Sequence, residues 1–357
     1  MGDEAIDRVN DEAIDQPSDE AIDRPKLEAW FQENVPGVEP PLTFERISGG
    51  RSNLTYGVRD SAGARWALRR PPLGKRLTSA HDMAREHRII SALADSRVPV
   101  PPVTALCEDE SVNGAPFYLM EFVEGPILRS RTEAEREFDE ADRRAIGDRV
   151  VDTLVTIHAV DADAVGLGGL AKKEDYVARQ LHRWHGQWEK SKTREVPLVD
   201  EVHERLSTRI PEQGTAAIVH GDYRLDNMIL TPGGEIAAVV DWELCTLGDP
   251  LADLGMLIVY WSDSEDELKP LFEAPTTATG FPSRDEVRDR YGELSGRDLS
   301  QIDFYVALAW WKLAIILQGV YARYAGGGYG QAEGFEQFAD VVDQLAEAAH
   351  EADRRLG

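Results

Sequence analysis

The sequence predicts an α+β protein in which a small strand-rich lobe precedes a larger helical lobe. Three observations carry that expectation. Between residues 42 and 123 the apolar residues fall in short runs bounded by Gly, Pro or Asp, the pattern of strands and turns. From residue 124 onward they recur at three- and four-residue spacing, the period of helices packed on one face. With 357 residues, 42% of them apolar, the chain can bury a sizeable core divided into two parts. The expected organisation is a tail over 1–26, a first lobe over 27–123 and a helical lobe over 124–357.

Residues 1–26 repeat an octapeptide, DEAIDRVN at 3–10, DEAIDQPS at 11–18 and DEAIDRPK at 19–26. Apart from Val9, each copy offers a single Ile as its large apolar side chain. That is too little buried surface to offset the entropy of ordering, so a disordered acidic tail is expected. Five strands follow, over 42–47, 53–59, 66–70, 103–108 and 117–123, with one helix inserted after the third. Ser79 can cap that helix, and Met83, Glu86, Ile90 and Leu93 share one of its faces. Helical spacing then runs over about 133–160, 173–192, 199–210, 250–261, 284–293, 299–323 and 334–355. The exception is a hairpin, 227–230 and 236–242, around the turn Thr231-Pro232-Gly233-Gly234.

Charge and cysteine content narrow the function classes. The chain carries 39 Lys and Arg against 65 Asp and Glu, a formal net charge of −26. A nucleic-acid phosphate backbone would be repelled over most of such a surface, so no nucleic-acid partner is expected. The repeats account for only part of the excess, with nine acids and three bases in residues 1–26. Only eight of the 39 bases are Lys, and a solvated acidic surface of this kind suits a halophilic protein, in which high salt screens self-repulsion. Two cysteines, Cys107 and Cys245, build no disulfide framework, and no leader pattern opens the sequence, so a cytoplasmic location is expected. The apolar stretch 305–321 contains Lys312 and Gln318 and is short for a bilayer span; it reads as a buried helix, with no membrane association.

The chemistry is concentrated in Ile218-Val219-His220-Gly221-Asp222-Tyr223-Arg224-Leu225-Asp226-Asn227 and, after the turn, Ala238-Val239-Val240-Asp241-Trp242. Phosphoryl transfer needs a carboxylate to orient the acceptor hydroxyl and take its proton, together with hard oxygen ligands that hold Mg²⁺ against the phosphates. An Asp followed five positions later by an Asn supplies both from one loop, Asp222 as base and Asn227 as metal ligand. Asp241, at the end of the following strand, supplies a second metal ligand.

This H-x-D-x-x-x-x-N motif with a strand-terminal Asp resembles the catalytic loop of protein kinases. In the form HGDYRLDNMIL…VVDWELCTLGDPLADLG it resembles the aminoglycoside phosphotransferase family over roughly residues 42–330. The resemblance implies a protein-kinase-like bilobal fold, a five-stranded antiparallel β lobe with one helix followed by a mostly helical lobe. It also implies the same three roles for Asp222, Asn227 and Asp241, and a structural role for His220. Asp226 reads as a solvated or loop-capping carboxylate that could assist Mg²⁺ through water, and Asp249, followed by Pro250, as a helix N-cap. Asp249 and Asp253 are kept out of the chemistry.

Upstream, Ser48, Gly49, Gly50, Arg51, Ser52 and Asn53 form a glycine-containing link between two strands that can set backbone N–H groups against phosphates. Trp66-Ala67-Leu68-Arg69 occupies the place of the kinase V-A-I-K strand. By two-residue alternation Ala67 and Arg69 share a face, so Ala67 would roof the adenine and Arg69 would reach the α- and β-phosphates. Arg stands there where Lys is usual, and Arg70 or Lys75 could share the role. Glu86 is the expected ion-pair partner of Arg69, and the backbone of Met120, Glu121, Phe122 and Val123 would contact the adenine edge.

The expected function is therefore transfer of the γ-phosphoryl group of ATP, or GTP, with Mg²⁺, to a hydroxyl of a small molecule. The WALRRPP strand, the VVDWELCTLGDP segment and the AWWKLAIILQGVYARY helix resemble the branch of the family that occurs fused to acyl-CoA dehydrogenases, which implies a hydroxyacyl-CoA or similar hydroxylated acceptor. The alternatives are a catalytically inert nucleotide-binding module or a protein kinase. Trp310 and Trp311 read as core, Cys245 as a small buried hydrophobe, and His182 and His185 as a helix face, because no third metal ligand stands at suitable spacing.

Overall fold

The computed structural model describes residues 21–47, 53–72, 82–263, 274–325 and 337–356. They fall into two compact units, Met1–Glu124 with Ala238–Glu243, and Gly125–Ala237 with Leu244–Gly357.

The first unit is built on five antiparallel strands, β1 (Thr43–Arg46), β2 (Leu54–Arg59), β3 (Arg65–Arg70), β4 (Val103–Cys107) and β5 (Phe117–Glu121), in the order β1-β2-β3-β5-β4. Helix α1 (Arg24–Asn34) precedes them, α2 (Met83–Leu93) lies between β3 and β4, and the single turn α3 (Glu110–Asn113) joins β4 to β5. Helix α2 starts three residues later than a cap at Ser79 would give. Its cap is Asp82, which accepts a hydrogen bond from Arg85 N, while Ser79 lies outside the described residues.

The expectation of a tail through residue 26 needs correction. Residues 1–20 lie outside the described residues, but Ala21 and Ile22 are buried, and Asp23 caps α1 at Lys26 N with Pro25 in the first turn. One Ile cannot nucleate a core alone. Here Ile22 joins a core already formed by Leu27 and Phe31 of α1 and by Tyr56, Leu68, Phe117 and Leu119 of the sheet.

The second unit contains α4 (Arg131–Glu137), α5 (Glu140–His158), α6 (Tyr176–Ser191), α7 (Pro197–Ser207), β6 (Ala217–Val219), β7 (Met228–Leu230), β8 (Ile236–Val239), β9 (Thr246–Gly248), α8 (Leu251–Tyr260), α9 (Arg284–Ser295), α10 (Ile302–Ala325) and α11 (Gln337–Arg354). The one helix expected over 133–160 is two, because Phe138 turns extended and Asp139 caps a new start at Asp142 N. β7 pairs with β8 as the hairpin pattern indicated, and β8 runs on into the first unit's segment. β6 pairs antiparallel with β9, aligning Ala217 with Gly248 and Val219 with Thr246. Helix α10 is long and apolar enough to cross a bilayer by length and composition, yet most of it is buried within its own unit, from Ile302 to Gly319.

Candidate active site

Strand β6 delivers His220 and Gly221 into the catalytic loop. Gly221 has φ +89°, and a Cβ there would lie 2.9 Å from both the Cβ and the carbonyl oxygen of Leu244, so only glycine makes this turn without strain. The loop is held by its backbone. His220 N and Gly221 N donate to Oδ2 and Oδ1 of the buried Asp253 at 2.6 and 2.8 Å. Asp253 also faces His158 Nε2 at 3.3 Å, whose Nδ1 meets Tyr291 Oη at 2.8 Å. Burial pushes the Asp253 carboxyl up, but His158 and the loop amides outweigh it and the net shift is down. Burial lowers the His158 pKa and keeps the ring neutral. An ionised Asp253 then accepts from His158 Nε2–H, and Nδ1 accepts from the tyrosine hydroxyl.

On the other side of the loop the Gly221 carbonyl accepts from Lys312 Nζ at 2.9 Å, and that ammonium sits 5.4 Å above the Trp184 ring. Burial lowers the Lys312 pKa, opposed by Asp222 and Asp253. The His220 ring is fully buried, and its Nδ1 accepts from Asp222 N at 3.3 Å. Its role is to shape the loop.

Asp222 and Asn227 are brought together. Asn227 Nδ2 donates to the Asp222 carbonyl at 2.8 Å and to Asp222 Oδ2 at 3.1 Å. With its nitrogen spent on Asp222, Asn227 presents Oδ1 as a hard ligand, the atom type Mg²⁺ prefers. Arg224 reaches Asp222 Oδ2 at 3.4 Å and Asp226 Oδ2 at 2.7 Å, and stacks 4.8 Å over Tyr260. Asp226 is therefore half-buried and ion-paired rather than solvated; burial raises its pKa against the pull of Arg224. Burial, with Asp222 next to it, raises the Tyr260 pKa and keeps the phenol protonated.

In the first unit Ala67 and Arg69 occupy β3 opposite Met120 and Tyr118 of β5. Arg69 Nε lies 3.1 Å from each carboxylate oxygen of the buried Glu86. Its Nη2 bonds Asp241 Oδ1 and lies 3.7 Å from Glu243 Oε2. Burial opposes the charge on Arg69, but Glu86 and Asp241 outweigh it and its pKa rises. The Glu86 carboxyl is pushed up by burial and pulled back by Arg69. Asp241 has φ +66°, a left-handed backbone rare for a residue with a side chain. Asn53 is buried, with Nδ2 donating to Glu243 Oε2 at 2.8 Å.

Two expectations change in detail, and a third falls on residues that are not described. Ser48, Gly49, Gly50, Arg51, Ser52 and Lys75 lie outside the described residues. Arg70 is buried and spends its guanidinium on the carbonyls of Ala21, Pro71 and Asn113 because alternation turns it to the face opposite Arg69. Of the four backbone positions expected to meet adenine, Glu121 N donates to Pro102 O and Phe122 N to Arg65 O, while Met120 is flanked by Ala67 and Val103 within the sheet. Val123 N–H makes no hydrogen bond among the described residues, which leaves it as the available donor.

Asp253, His158, Lys312 and Glu243 were not identified as parts of the site from the sequence. Lys312 had a legible signal, a lone cation in an apolar helical run. Asp253 read as part of a helix start; Asp249 does bond Leu251 N at 3.0 Å, but its other oxygen takes the Tyr305 hydroxyl.

Comparison with known proteins agrees with the motif. Residues 43–305 match the family model described as phosphotransferase enzyme family. The chain is 37% identical over 313 residues to acyl-CoA dehydrogenase family member 10 of Mus musculus, covering 87% of this chain and 29% of that protein. A crystal structure of a Ralstonia eutropha JMP134 protein, provisionally named an aminoglycoside phosphotransferase, superposes with a TM-score of 0.79 at 34% identity over 93% of this chain and 98% of that one. Choline kinase from Cryptosporidium parvum shares the fold, with a TM-score of 0.64 at 14% identity over 92% and 95% of the two chains. The chain spans well under half the length of the mouse relative it matches. The fold is α+β and protein-kinase-like, and the chain belongs to the phosphotransferase enzyme family.

Proposed function

We propose that this protein transfers the γ-phosphoryl group of ATP, or GTP, to a hydroxyl of a small molecule. Asp222 orients the hydroxyl and takes its proton as the oxygen attacks the γ-phosphorus, and the bond to the β-phosphate oxygen breaks with its electron pair leaving on the nucleoside diphosphate. Asn227 Oδ1 and the Asp241 carboxylate would hold Mg²⁺, which supplies charge neutralisation for the phosphates. Arg69, with residues 48–53, positions the phosphates; Ala67 covers the adenine and Val123 N–H meets its edge. Positioning and charge account for nearly all the catalysis, so each of these groups has a large share.

The observation that carries this reading is the Asp222–Asn227 pair, in which one loop orients a carboxylate and a hard oxygen ligand through a single amide. The three carboxylates around Arg69 support a metal there, since their clustering favours a divalent cation. The acceptor is proposed to be a hydroxyacyl-CoA or similar hydroxylated metabolite, on the strength of the acyl-CoA dehydrogenase relatives. Labelled γ-phosphate transfer, screened over pooled hydroxylated metabolites and hydroxyacyl-CoA esters with protein substrates as a control, tests the reading. Transfer to a small-molecule pool that is lost without Mg²⁺ is expected; transfer only to protein, or none to any pool, contradicts it.

A further inference from the structure

A second cluster of ligand-type side chains lies on the hairpin of α6 and α7, and the phosphoryl chemistry does not use it. His185 and Glu189 stand four residues apart on α6, so they share a face. Asp200 lies on the neighbouring helix α7. One ligand atom from each of the three lies within 4.8 Å of the others, and His185 Nε2 is already 3.4 Å from Asp200 Oδ1. The sequence reading found no third ligand beside His182 and His185; the missing members are Glu189, one turn on, and Asp200, which only the helix hairpin brings near.

The cluster is held in place. Trp188 Nε1 donates to Asp200 Oδ1 at 3.1 Å and fixes that carboxylate. The His203 ring stacks on His185 with centroids 3.9 Å apart and an interplanar angle of 9°, and its other neighbour is Trp311, at 5.6 Å and 20°. Two parallel imidazoles cannot both lie coplanar with one ion, so His203 orients His185 and leaves it the single nitrogen ligand.

We propose that His185, Glu189 and Asp200 form a binding site for a divalent transition metal, with Zn²⁺ the preferred ion. One imidazole nitrogen with two carboxylates suits Zn²⁺ or Co²⁺, whereas Mg²⁺ and Ca²⁺ favour all-oxygen shells. Ligand atoms about 2.0–2.2 Å from Zn²⁺ sit roughly 3.3 Å apart, close to the present His185–Asp200 separation. Glu189 is the member that must move, and it is exposed; its partner Lys192, at 3.0 Å, is a surface ion pair that costs little to release. The ion would cross-link α6 to α7, leaving open positions to water.

The test is calorimetric titration of ZnCl₂ into the full chain, without a histidine tag, in buffer containing millimolar Mg²⁺. One equivalent is expected to bind, with affinity reduced at least about tenfold in His185→Ala and in Asp200→Asn, the latter keeping an acceptor for Trp188. Excess Zn²⁺ should raise the wild-type melting temperature by about 2–5 °C and move neither variant. Melting both variants in EDTA establishes that they are folded. Asp241→Asn should bind Zn²⁺ like the wild type, which separates this site from the proposed Mg²⁺ site. Absence of binding, binding unchanged in both His185→Ala and Asp200→Asn, or binding abolished by Asp241→Asn overturns the proposal.

Discussion

The surroundings of Arg69 and of Asp222 are opposite in sign. In the first unit one buried guanidinium faces Glu86, Asp241 and Glu243. In the second, one carboxylate faces Arg224 and the Asn227 amide, while Lys312 holds the adjacent carbonyl. The Arg69 end carries a surplus of negative charge, which the proposed Mg²⁺ would offset. The Asp222 end is supplied with donors and is fixed in geometry before any ligand arrives. Substitutions at the two ends should therefore fail in different ways.

The largest effect is expected at Asp241. Asp241→Ala should lose both turnover and Mg-nucleotide affinity, read by phosphate transfer and by calorimetry with a non-hydrolysable nucleotide. Asp222→Ala should lower turnover by about 10²–10⁴-fold while leaving Mg-nucleotide affinity within severalfold of the wild type, as removal of a general base requires. Equal losses of nucleotide affinity in the two variants would erase the contrast.

The support beneath the catalytic loop comes next. Asp253→Ala strands the buried His220 N–H, at about 1–3 kcal/mol, and the part-buried Gly221 N–H, and should lower kcat through a displaced loop. A separate look at kcat and KM distinguishes positioning from mere instability: kcat should fall in the surviving folded enzyme, with nucleotide affinity maintained. Wild-type kcat in that folded fraction would remove Asp253 from the mechanism.

The smallest effect is in pH dependence. The native His158 pKa is lowered, so below about pH 6.5 the unfolded chain takes up a proton that the native ring refuses, and stability falls as pH drops. Asp253, with its pKa lowered, adds a contribution present above about pH 4 and lost as pH falls further. His158→Gln should flatten part of the decline between about pH 6.5 and 5, measured by denaturant melts. His87 and His203, also lowered by burial, should carry a remaining slope. An unaltered pH profile in His158→Gln would show that the Asp253 pairing contributes nothing.

What could be read from sequence was what is local. Each strand of the first unit is a short apolar run bounded by Gly, Pro or Asp, and Asp222 and Asn227 are five residues apart in one loop, so chain geometry alone brings them together. The Asp82 cap was misplaced to Ser79 because both residues suit the position. Pairings over long separations carry no comparable local signal. β6 and β9 contribute three residues each, too few for a period, and His158 meets Asp253 across 95 residues of chain. Ile22 looked unable to order its segment because the residues that bury it belong to α1 and the sheet. The Val123 donor could not be singled out before the N–H groups of Glu121 and Phe122 were assigned to the sheet and its neighbours.

The central claim is that Asn227 and Asp241 ligate one ion on a nucleotide whose γ-phosphate faces Asp222. A crystal structure of the protein with Mg²⁺ and a non-hydrolysable ATP analogue tests it most directly. The expected result is Asn227 Oδ1 and an Asp241 oxygen about 2.0–2.2 Å from the same Mg²⁺, with an Asp222 carboxylate oxygen turned toward the γ-phosphate. Nucleotide bound with Mg²⁺ ligated by neither residue would contradict the claim.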